Sequence, residues 1–275
     1  MHQMPCGLCA LRFCPGLSAA RRTAGGSVTG LLLLAGAAVG FSPQAQADTV
    51  LVAVAANFAG TLAELGPAFT AATGHQLTIS PGATARLATQ IEAGAPYQVL
   101  LSADQATPLA LVAKGQAQAD SQFTYAVGQL VLWSTRPGWV DGQGAVLSQP
   151  GFKHLAIANP RLAPYGAAAM AVLAARGLDT VLASRLVRAE SIAQAYQFVV
   201  TGNAELGFVA LSQLMGPGKA LTGSAWIVPP TLYPALRQDA VLLAAGRGKP
   251  AALALLAYLK TPAAQALIKS HGYGL

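Results

Sequence analysis

Beyond residue 14 the 275-residue sequence contains no cysteine, because Cys6, Cys9 and Cys14 are its whole complement. All three fall in an N-terminal stretch with the marks of an export leader. The rest of the chain is therefore expected to form neither a disulfide nor a thiolate metal site. Charge is also scarce, with only 10% Asp, Glu, Lys and Arg, so candidates for acid–base catalysis are few. Of four histidines, only His75, His154 and His271 lie past the leader, none within a motif. An enzyme would need a nucleophile, an acid–base pair or a metal cage. The most suggestive carboxylates, Glu92 in mid-helix and Asp104 in a strand-end turn, lack a partner acid nearby in sequence. An exported enzyme is thus the remote alternative. Basic residues do not cluster either. Arg185 and Arg188, the densest pair, have the helical spacing of a solvated face, which speaks against nucleic-acid binding.

The N-terminus carries Arg12, Arg21 and Arg22 and no acid, followed by an uncharged apolar run from Val28 to Phe41 centred on four leucines, Leu31 to Leu34. Ala45-Gln46-Ala47 then fits the small-x-small cleavage signature of a secretory signal peptide. Residues 1–47 are expected to be removed on export to the periplasm. The apolar run falls short of the roughly 20 residues that span a bilayer, which argues against an anchor. Cys9 is followed by Ala10 and lacks the small-residue box of a lipoprotein, so a soluble mature chain is expected. Cleavage takes the basic residues from 17 to 14 and leaves all ten acids, a net charge of about +4.

The mature length suits one large or two medium domains with a substantial core. Val50–Ala55 reads as a strand and Phe58–Ala72 as a helix with Phe58, Leu62, Leu65 and Phe69 at helical spacing. The unit recurs as strand Gln76–Ser80 with helix Arg86–Ala93, and as strand Val99–Ser102 with helix Pro108–Lys114. Such alternation predicts a parallel α/β sheet. Phe123–Ser134 is an extended apolar run, and a domain crossing is expected near Val127. A second series follows: strand Leu155–Ile157, helix Gly166–Ala175, strand Leu186–Ala189, helix Ile192–Thr201 and strand Leu206–Val209. After Pro229-Pro230, strand Ala240–Ala244 and helices Lys249–Lys260 and Pro262–His271 return to the first lobe. The expected division is lobe 1 over 48–127 with 229–275, and lobe 2 over 128–228.

Ligands of such sheets sit where strands end and helices begin. There, unpaired N–H groups and the positive end of the helix dipole hold an anion without Arg or Lys. Four turns fit: Ala55-Ala56-Asn57-Phe58, Gly82-Ala83-Thr84-Ala85-Arg86, Pro164-Tyr165-Gly166-Ala167 and Glu190-Ser191-Ile192-Ala193. Asn57 and Thr84 can donate from their side chains, and neutral donors suit a fully deprotonated oxyanion. Asn57, Thr84 and Ser191 are equally the residue types favoured as helix N-caps, and Tyr165 can be a packing plug.

The segments Ala55-Ala56-Asn57-Phe58, Gly82-Ala83-Thr84, Gln90-Ile91-Glu92-Ala93-Gly94-Ala95-Pro96 and Ser102-Ala103-Asp104-Gln105 together resemble the periplasmic molybdate-binding proteins. The likeness continues through Ala158-Asn159-Pro160, Pro164-Tyr165-Gly166, Leu206-Gly207-Phe208-Val209-Ala210 and Tyr258-Leu259-Lys260. It implies a two-lobed type II binding-protein fold with a ligand cleft between lobes. The implied function is capture of molybdate or tungstate and delivery to an ABC transporter permease by a monomer, with no enzyme activity and no cofactor. The only metal would be the molybdenum or tungsten of the ion.

Carried over by position, the resemblance assigns side-chain contacts to Asn57 and Thr84, main-chain donors to Tyr165 and Ile192, and further backbone N–H groups to Ala56 and Ala83. Two departures stand out. The usual Gly-Ser-Ser turn reads Gly82-Ala83-Thr84, and a late tyrosine of some members is Ala210, a phenol that Tyr165 is placed to replace. A changed donor set alters cavity size, so another anion such as sulfate is the alternative ligand. Ferric iron would ask for clustered Tyr, His or acids, and a carboxylate ligand for an Arg; the turns supply neither. An effector domain of a transcription regulator would need a DNA-binding module and no leader.

Overall fold

The computed structural model of the protein describes residues 47–218 and 220–275. The expected leader lies outside the described residues except for its last position, Ala47. In chain order the elements are β1 Thr49–Ala55, α1 Ala59–Thr73, β2 Gln76–Gly82, α2 Thr84–Glu92, β3 Val99–Leu101, α3 Ala106–Ala113, β4 Phe123–Gly128 and β5 Leu130–Ser134. They continue as β6 Leu155–Ala158, α4 Pro164–Ala175, β7 Leu186–Ala189, α5 Ile192–Val200, β8 Leu206–Ala210, α6 Leu211–Leu214, β9 Ser224–Ile227, β10 Leu236–Leu242, α7 Pro250–Tyr258 and α8 Pro262–Ser270.

Two five-stranded sheets result, in orders β2-β1-β3-β10-β4 and β7-β6-β8-β5-β9, each the centre of one α/β lobe. The sheets are mixed, not wholly parallel as the alternation predicts. Strands β1, β2 and β3 run parallel, but β10 pairs antiparallel with β3 and β4. In the second sheet β6, β7 and β8 are parallel, while β5 is antiparallel to β8 and β9. The reversed strands are those by which the chain passes between sheets: β4 leads into β5 through Gln129 alone, and β9 is followed by β10. Crossover helices impose parallel pairing only where strand, helix and next strand share one sheet.

Period-two alternation builds the first lobe. Val50, Val52 and Val54 pack beside Phe58, Leu62, Leu65 and Phe69 of α1 and its approach, and beside Leu255 of α7 and Ile268 of α8. Ala53, Leu100 and Val241 point to the other face, against Leu87 and Ile91 of α2 and Leu111 of α3. The second lobe buries Val131, Leu132, Ile157, Phe208 and Val209 with Ala169, Val172 and Leu173 of α4 and Ala195 and Val199 of α5. Each fully buried Val, Leu, Ile or Phe is worth roughly 1.5–3 kcal/mol of transfer free energy, so both sheets are firmly backed. Two parallel registers then position the site. Ala55 lies opposite Gly82 at the ends of β1 and β2, and Ala158 opposite Ala189 at the ends of β6 and β7. The turns that leave those four carboxyl ends emerge side by side in pairs.

Candidate functional site

A cavity with about 200 Å³ of empty space lies between these turns. Its wall includes Ala56, Asn57, Ala83, Thr84, Tyr165 and Ile192, so the structure brings all six sequence-predicted residues together. The remaining lining is Ala55, Gly82, Ala103, Ala163 and Pro164, which leaves the wall without a single charged side chain.

The local structure explains which main-chain N–H groups around the cavity are left without an acceptor. Thr84 is the first residue of α2, after an extended N-cap at Ala83. Tyr165 is the second residue of α4, whose first, Pro164, has no N–H to offer. Ile192 opens α5 behind the N-cap Ser191. The first turn of a helix has N–H groups with no intrahelical acceptor. Among the described residues, the main-chain N–H groups of Asn57, Ala83, Thr84, Tyr165 and Ile192 donate to no protein acceptor. Gly166 permits the approach of α4, because a Cβ there would collide with the carbonyl of Ala158 at the end of β6.

Thr84 adds a sixth donor. Its Oγ1 is buried and accepts the N–H of Ala103 at 3.2 Å, so its own proton remains available. Neither Thr84 nor Asn57 caps a helix. The N-caps of α1 and α2 are Phe58 and Ala83, without side-chain caps, whereas Ser191 does cap α5 by accepting from Gln194 N at 3.3 Å.

Two expected donors are corrected by the geometry. The Ala56 N–H is committed to the carbonyl of Gly82 at 2.9 Å, closing the β1 and β2 ends. The Asn57 amide is committed too: Nδ2 donates to Gln238 Oε1 at 2.8 Å and to the Tyr273 hydroxyl at 3.0 Å. Asn57 therefore offers the cavity its main-chain N–H and not its side-chain amide. The Tyr165 phenol likewise does not replace the missing tyrosine. It accepts from Gln238 Nε2 at 3.2 Å and lies against Gly128, where a Cβ would collide with both groups.

Gln238, Tyr273, Ser212 and Tyr125 were not read from the sequence as site residues. The Tyr273 hydroxyl donates to the Asn57 carbonyl at 2.8 Å, Ser212 Oγ donates to the same carbonyl at 3.0 Å, and Tyr125 donates to Gln238 Oε1 at 3.1 Å. Burial raises the phenols of Tyr125, Tyr165 and Tyr273 above the ordinary tyrosine range, so they remain neutral donors. The only sequence signal was a lone Gln in the run Leu236-Arg237-Gln238-Asp239-Ala240.

Ion pairing stays at the rim. Arg86 of α2 pairs with Glu190, which precedes α5, and both are more than half exposed. Ala85 N also donates to Leu162 O at 3.1 Å across the same seam. Of the carboxylates, Glu92 pairs with Lys114 at 2.8 Å, and Asp104 accepts from Thr107 N at 2.8 Å. A larger groove, with about 910 Å³ of empty space, carries Arg161 and Arg237 and shares Ala103, Ala163 and Pro164 with the cavity. Its cations are exposed, whereas the small cavity is lined by neutral residues, five of them with unpaired main-chain N–H groups. Neutral N–H donors at helix starts can hold a dehydrated anion that presents only acceptors.

The sequence matches the model of the bacterial extracellular solute-binding proteins over residues 50–274. It is 56% identical over 231 residues to the molybdate-binding protein ModA of Azotobacter vinelandii, covering 84% of this chain and 92% of that one. With the ModA of Rhodobacter capsulatus the identity is 48% over 235 residues, 86% of this chain and 92% of the relative. Among solved structures, an Azotobacter vinelandii periplasmic molybdate-binding protein superposes with a TM-score of 0.80 at 43% identity, over 82% of this chain and 99% of that one. The family match over residues 50–274 runs through both sheets and all four turns of the cavity. The chain therefore belongs to the bacterial extracellular solute-binding proteins and, within them, to the ModA family of molybdate-binding proteins.

Proposed function

We propose that the chain captures molybdate or tungstate in the periplasm and hands it to the membrane permease of an ABC transporter. The observation that carries this reading is a cavity with no charged wall, lined by five residues whose main-chain N–H groups are unpaired and by Thr84 with its hydroxyl. Hydrogen bonds to a charged group contribute roughly 1.5–3 kcal/mol each, enough together to replace the water around a small dianion. The absence of a carboxylate from the wall selects by protonation. Phosphate near neutral pH carries a proton that needs a carboxylate, and the cavity has none. Sulfate is equally bare, so size is left to separate it from the larger ions. The names of the relatives agree with molybdate.

In this reading residues 1–47 are a signal peptide cleaved after Ala47, and the mature monomer begins at Asp48. Lobe 1, residues 48–127 with 229–275, carries Asn57, Ala83 and Thr84. Lobe 2, residues 128–228, carries Tyr165 and Ile192 and closes over the ion by a hinge at the crossing strands. Closure is driven because the second lobe's N–H groups reach the ion only when shut. Titration calorimetry of residues 48–275 with molybdate, tungstate, sulfate and phosphate tests the reading. Tight one-to-one binding of the first two, with phosphate silent, is expected. Preference for sulfate, or no binding to any, would overturn it.

A further inference from the structure

Beneath the cavity, one buried amide joins the two lobes. Gln238 of β10 is fully buried; its Oε1 accepts from Asn57 Nδ2 at 2.8 Å and its Nε2 donates to the Tyr165 hydroxyl at 3.2 Å. Asn57 belongs to the first lobe and Tyr165 to α4 of the second, and each lines the cavity and has a main-chain N–H with no protein acceptor. Gly128 leaves the space in which Tyr165 and Gln238 meet, at the end of β4 where the chain crosses between sheets. A second cross-lobe link lies beside the first: Ser212 Oγ of α6 donates to the Asn57 carbonyl at 3.0 Å and lies 2.9 Å from the Tyr273 hydroxyl.

We propose that Gln238 is a positioning residue and closed-state latch, holding Asn57 and Tyr165 so that their N–H groups meet the anion together and setting how long the ion is retained. The inference rests on the oxyanion reading of the cavity. Separating the lobes has to break the Gln238–Tyr165 and Ser212–Asn57 bonds, and the first of these joins two fully buried side chains. An apolar replacement leaves the Asn57 amide held by Tyr273 alone and the Tyr165 phenol unpaired. The latch acts after the ion has entered, so its loss belongs in the dissociation rate and not in the association rate.

The test is a double-mutant cycle on the full chain, purified after expression, with Gln238→Met, Tyr165→Phe and the pair. Stopped-flow tryptophan fluorescence with molybdate reads both rates. Each single variant is expected to raise the dissociation rate about tenfold, with the association rate changed by less than about threefold and the double variant no worse than the weaker single. Effects that multiply in the double variant, or a dissociation rate unchanged in Gln238→Met, would overturn the latch. A merely structural role would lower the melting temperature of the ligand-free protein without this split between rates. Should Gln238→Met not fold, Tyr165→Phe and Ser212→Ala carry the same expectation, and unchanged dissociation in both would overturn it. If the unaltered protein binds no molybdate, the oxyanion reading fails; if it binds and the cycle multiplies, only the latch fails.

Discussion

Replacing Thr84 by Val removes two hydrogen bonds that belong to different states of the protein. The side chain is 2% exposed, and its oxygen accepts from Ala103 N in the fold as it stands. Val has the same shape but leaves that buried N–H unpaired, a cost of about 1–3 kcal/mol that appears as lost stability without ligand. The missing hydroxyl proton is a separate loss, present only with the anion bound. A hydrogen bond to a charged group is worth about 1.5–3 kcal/mol, so affinity should fall about 10- to 150-fold. Denaturant melts of the free protein and calorimetric titration with molybdate separate the two effects. Thr84→Ser, which keeps acceptor and donor, should stay within about threefold of the original affinity. A Val variant that loses stability but keeps its affinity would refute the reasoning, because Thr84 would then serve only as the acceptor for Ala103.

Other perturbations discriminate further. Ile192→Pro removes one N–H at the first position of α5, where proline is well tolerated; affinity should fall tenfold or more while the circular dichroism spectrum stays unchanged, and intact affinity would remove Ile192 from the site. Gly128→Ala should weaken binding and lower the melting temperature, since its Cβ collides with the Tyr165 and Gln238 side chains; calorimetry and thermal melts check this. The one titratable side chain in the wall, the Tyr165 phenol, is raised by burial above the ordinary tyrosine range, so affinity between about pH 6.5 and 9 should be flat, and a titration step in calorimetry across that range would contradict it. Stability behaves differently at high pH. The buried phenols of Tyr125, Tyr165 and Tyr273 are raised in the fold, so their contribution is complete below the ordinary tyrosine range and declines above about pH 10. The decline is about 1.4 kcal/mol per pH unit for each phenol that ionises on unfolding. Urea midpoints should fall accordingly, and less steeply in Tyr125→Phe.

The turns of the site were legible because they obey local rules. Small and polar residues after short apolar strands mark helix starts, and Pro164 and Gly166 fix one of them by chain stiffness and close approach. The residues that stay hidden depend on distant partners. Gln238 lies 181 positions from Asn57, and Tyr273 lies 216 positions from it. No periodicity could tell that the Asn57 amide turns toward these two and away from the cavity. A Gln between Arg237 and Asp239 reads as a solvent-exposed stretch, and β10 begins at Leu236, four residues before the apolar run that announces it. Similarly, β9 is only four residues long and follows a glycine-rich stretch, so its pairing with β5 is set by the opposing strand. Parallel order was overpredicted for the same reason, since the crossings between lobes reverse strand direction without leaving a local mark.

The most direct test of the account is a crystal structure of the mature chain with tungstate, located by its anomalous scattering. The account predicts one peak in the small cavity, with ion oxygens at roughly 2.7–3.1 Å from the main-chain nitrogens of Asn57, Ala83, Thr84, Tyr165 and Ile192 and none from the Asn57 amide. A peak in the larger groove beside Arg161 and Arg237, or an ion held by the Asn57 side chain with those nitrogens unengaged, would contradict it.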